Sequence, residues 1–464
     1  MAKRAADLER ISAALGEGAA ERIDIGALQR LPLALHENGW RLRATERCGE
    51  LMGFSSPGMR TRGLAVDLGT TNAAAFLMDM ETGRRLASLG IENPQVAYGA
   101  DLISRLNHAI RAQDGHLELQ MTAVSAITAL AGDLCEAISA HPGEIADIAV
   151  CGNTAMHHLL LGLPVAQLGR APFLPVACAA MDVKARDLGL AVMPGAYVHV
   201  MPNIGGFVGG DHVATLMATE ERWSNATSIV MDIGTNKEIS LIHRGEITTA
   251  YTASGPALEG GNISSGMRAA EGAIERIWLA EEQILTRVIG DIAPVGLCGS
   301  GVLDAVITLY RAGIIDARGY MRPDQPNVQE NGGRREFIFA PGVTFAQEDV
   351  RAVQLAQAAI RAGVDLLLRE AGLSEQSLER VVIAGAFGAY IDVTSAIDIG
   401  LFPSLPLERF EQVGNAAGVG VRMALLSAAA REHSRQLAAR CRHMELNTLE
   451  GFQKVFLNRI RLGP

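Results

Sequence analysis

One pattern occurs twice, and it limits the chain to very few folds. From Gly63 the sequence runs through an apolar stretch to Asp67, then Leu68-Gly69-Thr70-Thr71-Asn72, then a second apolar stretch. Glu81-Thr82-Gly83 turns the chain into a third run, RRLASLGI. From Ser228 the order repeats: an apolar run to Asp232, then Ile233-Gly234-Thr235-Asn236, a second run, an Arg244-Gly245 turn and a third run, EITTAYT. Each copy predicts strand, tight turn, strand, turn, strand. Two copies with Asp and Gly-Thr at the same turn indicate an internal duplication, which defines the architecture.

The chemistry of the turn is that of a phosphate-binding hairpin. Gly69 can take a positive φ and lets a phosphate approach the backbone. Thr70, Thr71 and Asn72 add hydroxyl and amide donors, and Asp67 at the strand end can hold a hydrated Mg²⁺. Taken singly, the stretch reads equally well as an ordinary hairpin whose Asp and Asn stabilise the turn. The second copy favours the phosphate reading.

The 464 residues exceed one ordinary core, so two or three domains are expected. With 48% hydrophobic and 20% charged residues the chain is globular. A formal net charge of −10 argues against a nucleic-acid backbone as partner. Cys48, Cys135, Cys151, Cys178, Cys298 and Cys441 show no C-x-x-C and no metal-ligand spacing, so reduced, packed thiols and no iron–sulfur cluster are expected. MAKRAADLER lacks the apolar core of a signal peptide, and no apolar run reaches bilayer length. These features predict a cytoplasmic protein with no membrane partner.

Residues 1–60 read as a small module: a helix in ADLERISAALG, a capped helix in DIGALQRLPLALHENGW, and a strand pair WRLRATE and GELMGF. In IADIAVCGNTAMHHLLLG a strand meets a helix at Asn153-Thr154, an arrangement that serves either an anion or simple capping. His157 and His158, adjacent and so pointing in different directions, are read as packing or polar-face residues. PNIGGFVGGDH fits neither a dinucleotide fingerprint nor a P-loop, so Gly205, Gly206, Gly209 and Gly210 are assigned first to close packing near the cleft and second to nucleotide contact. ASGPALEGGNISSGMRA is a long Gly/Ser loop with a possible helix start at Ser264-Ser265; its central carboxylate, Glu259, would ordinarily be an exposed loop residue. RPDQPNVQENGGRREF reads as a surface excursion and EDVRAVQLAQAAIRAGVDLLLREAG as a long amphipathic helix. LERVVIAGAFGAYID occupies in the second repeat the place of IADIAVCGNT in the first, and GNAAGVGVRMALL carries small residues suited to close helix contact near a hinge.

In order, DLGTTN (67–72), AVCGNTAMHH (149–158), DIGTNKE (232–238), IAGAFGAYID (383–392) and GNAAGVGVRMAL (414–425) resemble the five signatures of the acetate and sugar kinase, heat-shock chaperone and actin (ASKHA) superfamily. More narrowly, NPQVAYGADLISRL, CGNTAMHHLLLGLP, PNIGGFVGGDH, ASGPALEG, ISSGMRA, GNAAGVGVRMALLS and MELNTLEGFQKVFL resemble the ATP-dependent reductive activators of corrinoid proteins. The resemblance spans most of 63–464, and IDIGALQRLPLALHENGW is similar to the module that precedes the ATPase there. It implies an α/β fold: a duplicated actin-like, RNase H-like core of two subdomains, 61–225 and 226–464, the second with a C-terminal return helix, behind an α+β module.

The function implied is use of ATP to help return an oxidised Co(II) corrinoid protein of a methyltransferase system to Co(I). The resemblance places Asp67 and Asp232 on Mg²⁺ through water. It puts Gly69, Thr70, Thr71, Asn72, Asn153, Gly234, Thr235 and Asn236 on the nucleotide's phosphates and Gly385, Ala386, Phe387 and Gly388 on adenosine. Asp232 or Glu238 would orient the attacking water. Many such activators carry a cysteine-rich iron–sulfur domain, and this sequence shows no such cysteine cluster, so a separate ferredoxin-like donor is expected. A homodimer is also implied. Two other readings stay open at this stage: a small-molecule kinase of the superfamily, and a nucleotide-switched binding or assembly protein.

Overall fold

A computed structural model describes residues 6–16, 21–385 and 387–463. The chain forms two compact units. The first is Met1–Ala218 with Ala417–Ala439, the second Thr219–Ala416 with Arg440–Pro464. The chain passes from one to the other within the helices Gly210–Trp223, Ala416–Leu426 and Ala428–Arg440.

The core of the first unit is a six-stranded sheet in the order Arg85–Glu92, Asn72–Asp79, Arg62–Leu68, Ile145–Cys151, Tyr197–Val200, Met181–Lys184. The first three strands form the antiparallel meander expected from the repeat, and Ile145–Cys151 joins it in parallel. The strand Ile145–Cys151 is buried at every position, as its unbroken apolar run requires of a central strand. The helix Gly115–Glu136 packs through Leu119, Ala123, Ile127, Leu130 and Leu134, the three- and four-residue spacing of one face.

The second unit repeats this arrangement. Its sheet runs Phe410–Gly414, Arg380–Ala384, Ser228–Ile233, Lys237–His243, Glu246–Thr252, Cys441–Met444. The long helix Gln347–Glu370 covers it so closely that a Cβ on Gly363 would lie 2.6 Å from the Thr252 methyl. The register is the same in both halves: Asp67 stands opposite Cys151, and Asp232 opposite Ala384. Between the third strand and the long helix, the second unit adds two small sheets and the helix Gly299–Arg311.

Two local expectations change. Ser264-Ser265 starts no helix. The Ser264 N–H and hydroxyl both donate to Asp349 Oδ1 at 3.0 Å, and Gly266 bridges to Leu297 in an extended segment. Side chains that bond a distant carboxylate compete with the helical turn for the same groups. The polar stretch at 322–337 is largely exposed but has order of its own, a hairpin of Val328–Asn331 with Arg334–Ala340 turning on Gly332-Gly333, and its end is not surface: Glu336 and Phe337 are buried.

The N-terminal module is the three-stranded sheet Arg22–Ile23, Glu50–Ser55, Arg43–Arg47 with the helix Ile25–Glu37 on it. It is fastened to the first unit by charge. Asp24 caps its helix through Gly26 N–H at 2.8 Å, and receives Arg186 Nη1 at 2.7 Å and Lys184 Nζ at 3.0 Å. Lys184 also reaches Glu50 at 2.9 Å, and the Tyr197 hydroxyl donates to Glu50 at 2.6 Å. Burial acts to raise the pKa of Asp24, but the bonds from Arg186, Lys184 and Gly26 outweigh it and hold that carboxyl below its ordinary range. For Glu50, burial is likewise outweighed by Tyr197 and Lys184.

A carboxylate with a depressed folded pKa stabilises the fold above its unfolded pKa and loses that contribution as pH falls through the folded one. The melting temperature is therefore expected to drop as pH is lowered from about 5 toward about 2, and Asp24→Asn to flatten that slope while lowering stability by about 2 kcal/mol at pH 7. Calorimetry across that range checks both.

Candidate functional site

Each unit places its Asp-x-Gly-Thr turn at the end of the first strand of its meander. In the first unit Asp67 is the penultimate residue of Arg62–Leu68, and Gly69, Thr70 and Thr71 form the turn before Asn72 begins the next strand. Gly69 does not adopt a positive φ, contrary to the sequence expectation. It is required by space: a Cβ there would lie 2.5 Å from the Asn72 carbonyl oxygen, a contact no side chain tolerates.

Asn153 belongs to this turn. Its Oδ1 accepts from the N–H groups of Ala155 and Met156, and its Nδ2 donates to Thr70 Oγ1 at 2.8 Å. One amide thus caps a helix and fixes the threonine rotamer. The glycine-rich loop closes over the same point. A Cβ on Gly209 would stand 2.3 Å from Asn153 Cα, and the Thr154 hydroxyl donates to the Val208 carbonyl at 3.1 Å. Close packing is what those glycines provide.

A second asparagine, Asn93, was not singled out in the sequence. It is fully buried; its backbone N–H donates to the Thr71 carbonyl at 2.8 Å and its Nδ2 to the Gly69 carbonyl at 2.8 Å. Its place ahead of Pro94 marks it as a cap, and only the fold shows that it also grips the turn. Behind it lies Arg105, also fully buried. Arg105 donates Nε to the Gly99 carbonyl at 2.8 Å, and its Nη1 and Asn93 Nδ2 each lie 3.7 Å from the Met156 sulfur. Burial pulls its pKa down to about 10.

His157 and His158 are buried with ring centroids 5.1 Å apart, so the two rings touch instead of diverging. Val176 N–H donates to His158 Nε2 at 2.8 Å, which makes Nδ1 the protonated nitrogen and the donor to the Thr154 carbonyl at 2.7 Å. Burial, then the neighbouring ring, push the His157 pKa down to about 3. Both are neutral packing residues.

In the second unit Asp232 ends the first strand but one, with Glu238 directly opposite it in register and 3% exposed. Gly234 N–H donates to the Asn236 carbonyl at 3.2 Å, which closes the turn. The Thr235 hydroxyl donates to Glu259 Oε2 at 2.9 Å, and Lys237, 1% exposed, donates Nζ to the carbonyls of Thr235 at 3.1 Å and Gly255 at 3.0 Å. Glu259 is thus brought into the turn, where an exposed loop position was the ordinary expectation. Lys237 was not singled out at all.

Gly385 has a φ of 93°, and a Cβ on it would meet the Ile233 carbonyl oxygen at 2.5 Å and Asp232 Oδ1 at 2.8 Å. Gly388 is likewise close-packed, and a Cβ on it would lie 2.9 Å from Ile383 Cγ2. Both glycines are demanded by the chain's own packing. Phe387 lies against the start of the helix Gly299–Arg311, where a Cβ on Gly299 would be 3.0 Å from its ring. Ala386 lies outside the described residues. Beyond this turn a cavity of about 510 Å³ opens among Glu275, Arg276, Ser300, Tyr390, Asp392 and Gln412. That volume suits a small organic ligand.

Residues 62–222 match the middle region of RACo, and 226–463 the C-terminal domain of RACo, its ASKHA domain. RamQ, a corrinoid activation enzyme of Eubacterium limosum, is 35% identical over 418 residues, covering 86% of this chain and 70% of that protein. The chain belongs to the family of reductive activators of corrinoid proteins. A reductase of Methanosarcina barkeri, named for the Co(II) form of a methylated amine-specific corrinoid protein, is 27% identical over 430 residues, covering 85% of this chain and 76% of its own. A solved structure of a reductive activator for corrinoid, iron-sulfur protein superposes with a TM-score of 0.87 at 31% identity, covering 99% of this chain and 76% of that one. The ASKHA core read from the sequence is therefore correct, and the likeness to the solved activator extends through the N-terminal module. Among the described residues, no helix is long and apolar enough to cross a membrane.

Asn93→Ala should loosen the first turn without removing any of its own donors. A stability loss of about 1–3 kcal/mol is expected, the cost of leaving the buried Gly69 carbonyl without its partner. Hydrogen exchange should quicken at 69–72 and stay unchanged at 234–238; unchanged protection at 69–72 would remove the asparagine from this role.

Proposed function

We propose that this chain is an ATPase that assists the reductive reactivation of Co(II) corrinoid proteins in methyl transfer. The observation that carries the reading is that a chain of the activator family keeps both Asp-x-Gly-Thr turns, in the same register, each tied down by buried polar side chains. The residues fit Mg-ATP. The first turn carries the hydroxyls of Thr70 and Thr71 beside Gly69, where only glycine fits, the second turn carries Thr235 and Asn236, and each has a carboxylate one residue into the strand.

In this reading Asp67 and Asp232 hold Mg²⁺ through water, and the ion offsets phosphate charge. Gly69, Thr70, Thr71, Asn72, Gly234, Thr235 and Asn236 hold the phosphate oxygens. Asn153 acts through the Thr70 hydroxyl that it bonds. Gly385, Phe387 and Gly388, with Ala386 between them, face adenosine. Asp232 or Glu238 orients a water whose oxygen attacks the γ-phosphorus as the bond to the bridging oxygen of ADP breaks, a transfer that depends mainly on positioning and charge. The cobalt is substrate. It gains one electron in passing from Co(II) to Co(I), and a separate ferredoxin-like protein supplies that electron. The protein works in the cytoplasm as a homodimer.

The deciding experiment is ATP hydrolysis by the purified protein, alone and with a corrinoid methyl-transfer protein in the Co(II) form. Stimulation by that partner is expected. Nucleotide binding without stimulation would overturn the activator reading in favour of a kinase or a switch. Asp67→Ala and Asp232→Ala should each lower turnover by at least about 100-fold with the protein still folded by circular dichroism. Retained turnover in both would remove the two aspartates from the site.

A further inference from the structure

Lys237 is the one lysine that the sheet of the second unit takes fully inside, at 1% exposure, and it sits in the phosphate turn itself. Its ammonium is 3.7 Å from Glu259 Oε1, while Glu259 Oε2 accepts from the Thr235 hydroxyl. Thr235 is therefore held at both ends, carbonyl by the lysine and hydroxyl by the glutamate. Glu259 has little freedom to leave. It ends a single turn, Ala257–Glu259, after which Gly260 takes a φ of 84°, and a Cβ on Gly299 would come within 3.1 Å of its Cα.

A carboxylate in a turn meant for phosphate works against binding, because like charges at close range repel. Lys237 cancels that charge without leaving the interior. We propose that Lys237 and Glu259 are positioning residues of the second phosphate turn, the glutamate holding the Thr235 side chain in place through its single hydroxyl proton and the lysine neutralising the glutamate so that phosphate can approach the turn. This rests on the turn binding nucleotide phosphate.

The proposal predicts opposite signs for the two substitutions, which a purely structural ion pair would not give. Lys237→Met leaves the carboxylate uncompensated, so ATP affinity should fall by at least about tenfold, with AMP affinity unchanged within about twofold. Glu259→Gln keeps an acceptor for Thr235 and removes the charge, so ATP should bind at least as tightly as in the wild type. The double variant should return to within about threefold of wild type. Titration calorimetry with ATP and with AMP, below the melting temperature of every variant, reads all three.

Equal losses in both single variants, or a tenfold loss in Glu259→Gln alone, would overturn the proposal while leaving nucleotide binding in place. Should Lys237→Met fail to fold, the sign of Glu259→Gln still decides. Failure of the wild type to bind ATP would instead overturn the nucleotide reading, and the proposal with it.

Discussion

The site depends on a single crowded approach of backbone to backbone, made once in each unit. Where the strand after the meander ends, the next residue passes so close to the first strand that a Cβ has no room. A Cβ on Gly152 would lie 2.7 Å from the Leu68 carbonyl oxygen, and one on Gly385 would lie 2.5 Å from that of Ile233. Leu68 and Ile233 each follow the aspartate. The glycines therefore set how near the connecting turn comes to the carboxylate, and everything that grips the hairpin is placed by that approach. For Gly385 this gives a reason for its identity that is independent of any adenosine contact.

From that common frame the two hairpins are secured by different chemistry. The first is held by neutral amides: Asn93 on the carbonyls side and Asn153 on the Thr70 hydroxyl, with the buried Arg105 behind them. The second is held by a buried lysine and a glutamate on either end of Thr235. A duplicated backbone has thus kept its geometry while the side chains that brace it diverged. A buried cation backs each turn, and burial disfavours the charged form of both. An anion brought nearby relieves that cost in either case.

Much of this was readable before the fold. The alternation of apolar residues, the repeated turn and the capping asparagine at Asn153 are local signals, and each carries its own physical warrant. The strand at Arg380–Ala384 fell where the repeat put it because the duplication supplied the template. What escaped were pairings made across the chain. Ser264 sits in a turn held by Asp349, Glu259 is drawn into a turn by Thr235 and Lys237, and Arg105 is buried against Gly99 and Met156 on what reads as an ordinary helix face. No local pattern announces a partner that lies tens of residues away. The positive φ expected at Gly69 failed for a related reason: glycine permits two things, conformation and closeness, and the sequence does not say which one a given turn uses.

In the proposed function nucleotide is coupled to a reduction, so what matters there is how a ligand at the second turn is felt beyond it, since a ligand shifts an equilibrium only through differential interaction with its states. The second unit offers a contiguous route. Glu259, bonded to the Thr235 hydroxyl, lies at the tight packing of its own segment against Gly299, and Gly299 in turn lies against Phe387. Neither junction has space to absorb a displacement, because each would be closed by a single added methyl group. A displacement of the Glu259 backbone would therefore press on the helix Gly299–Arg311 and, through Gly299, on the ring of Phe387. Dense packing of this kind passes a backbone displacement on to its neighbours in place of absorbing it.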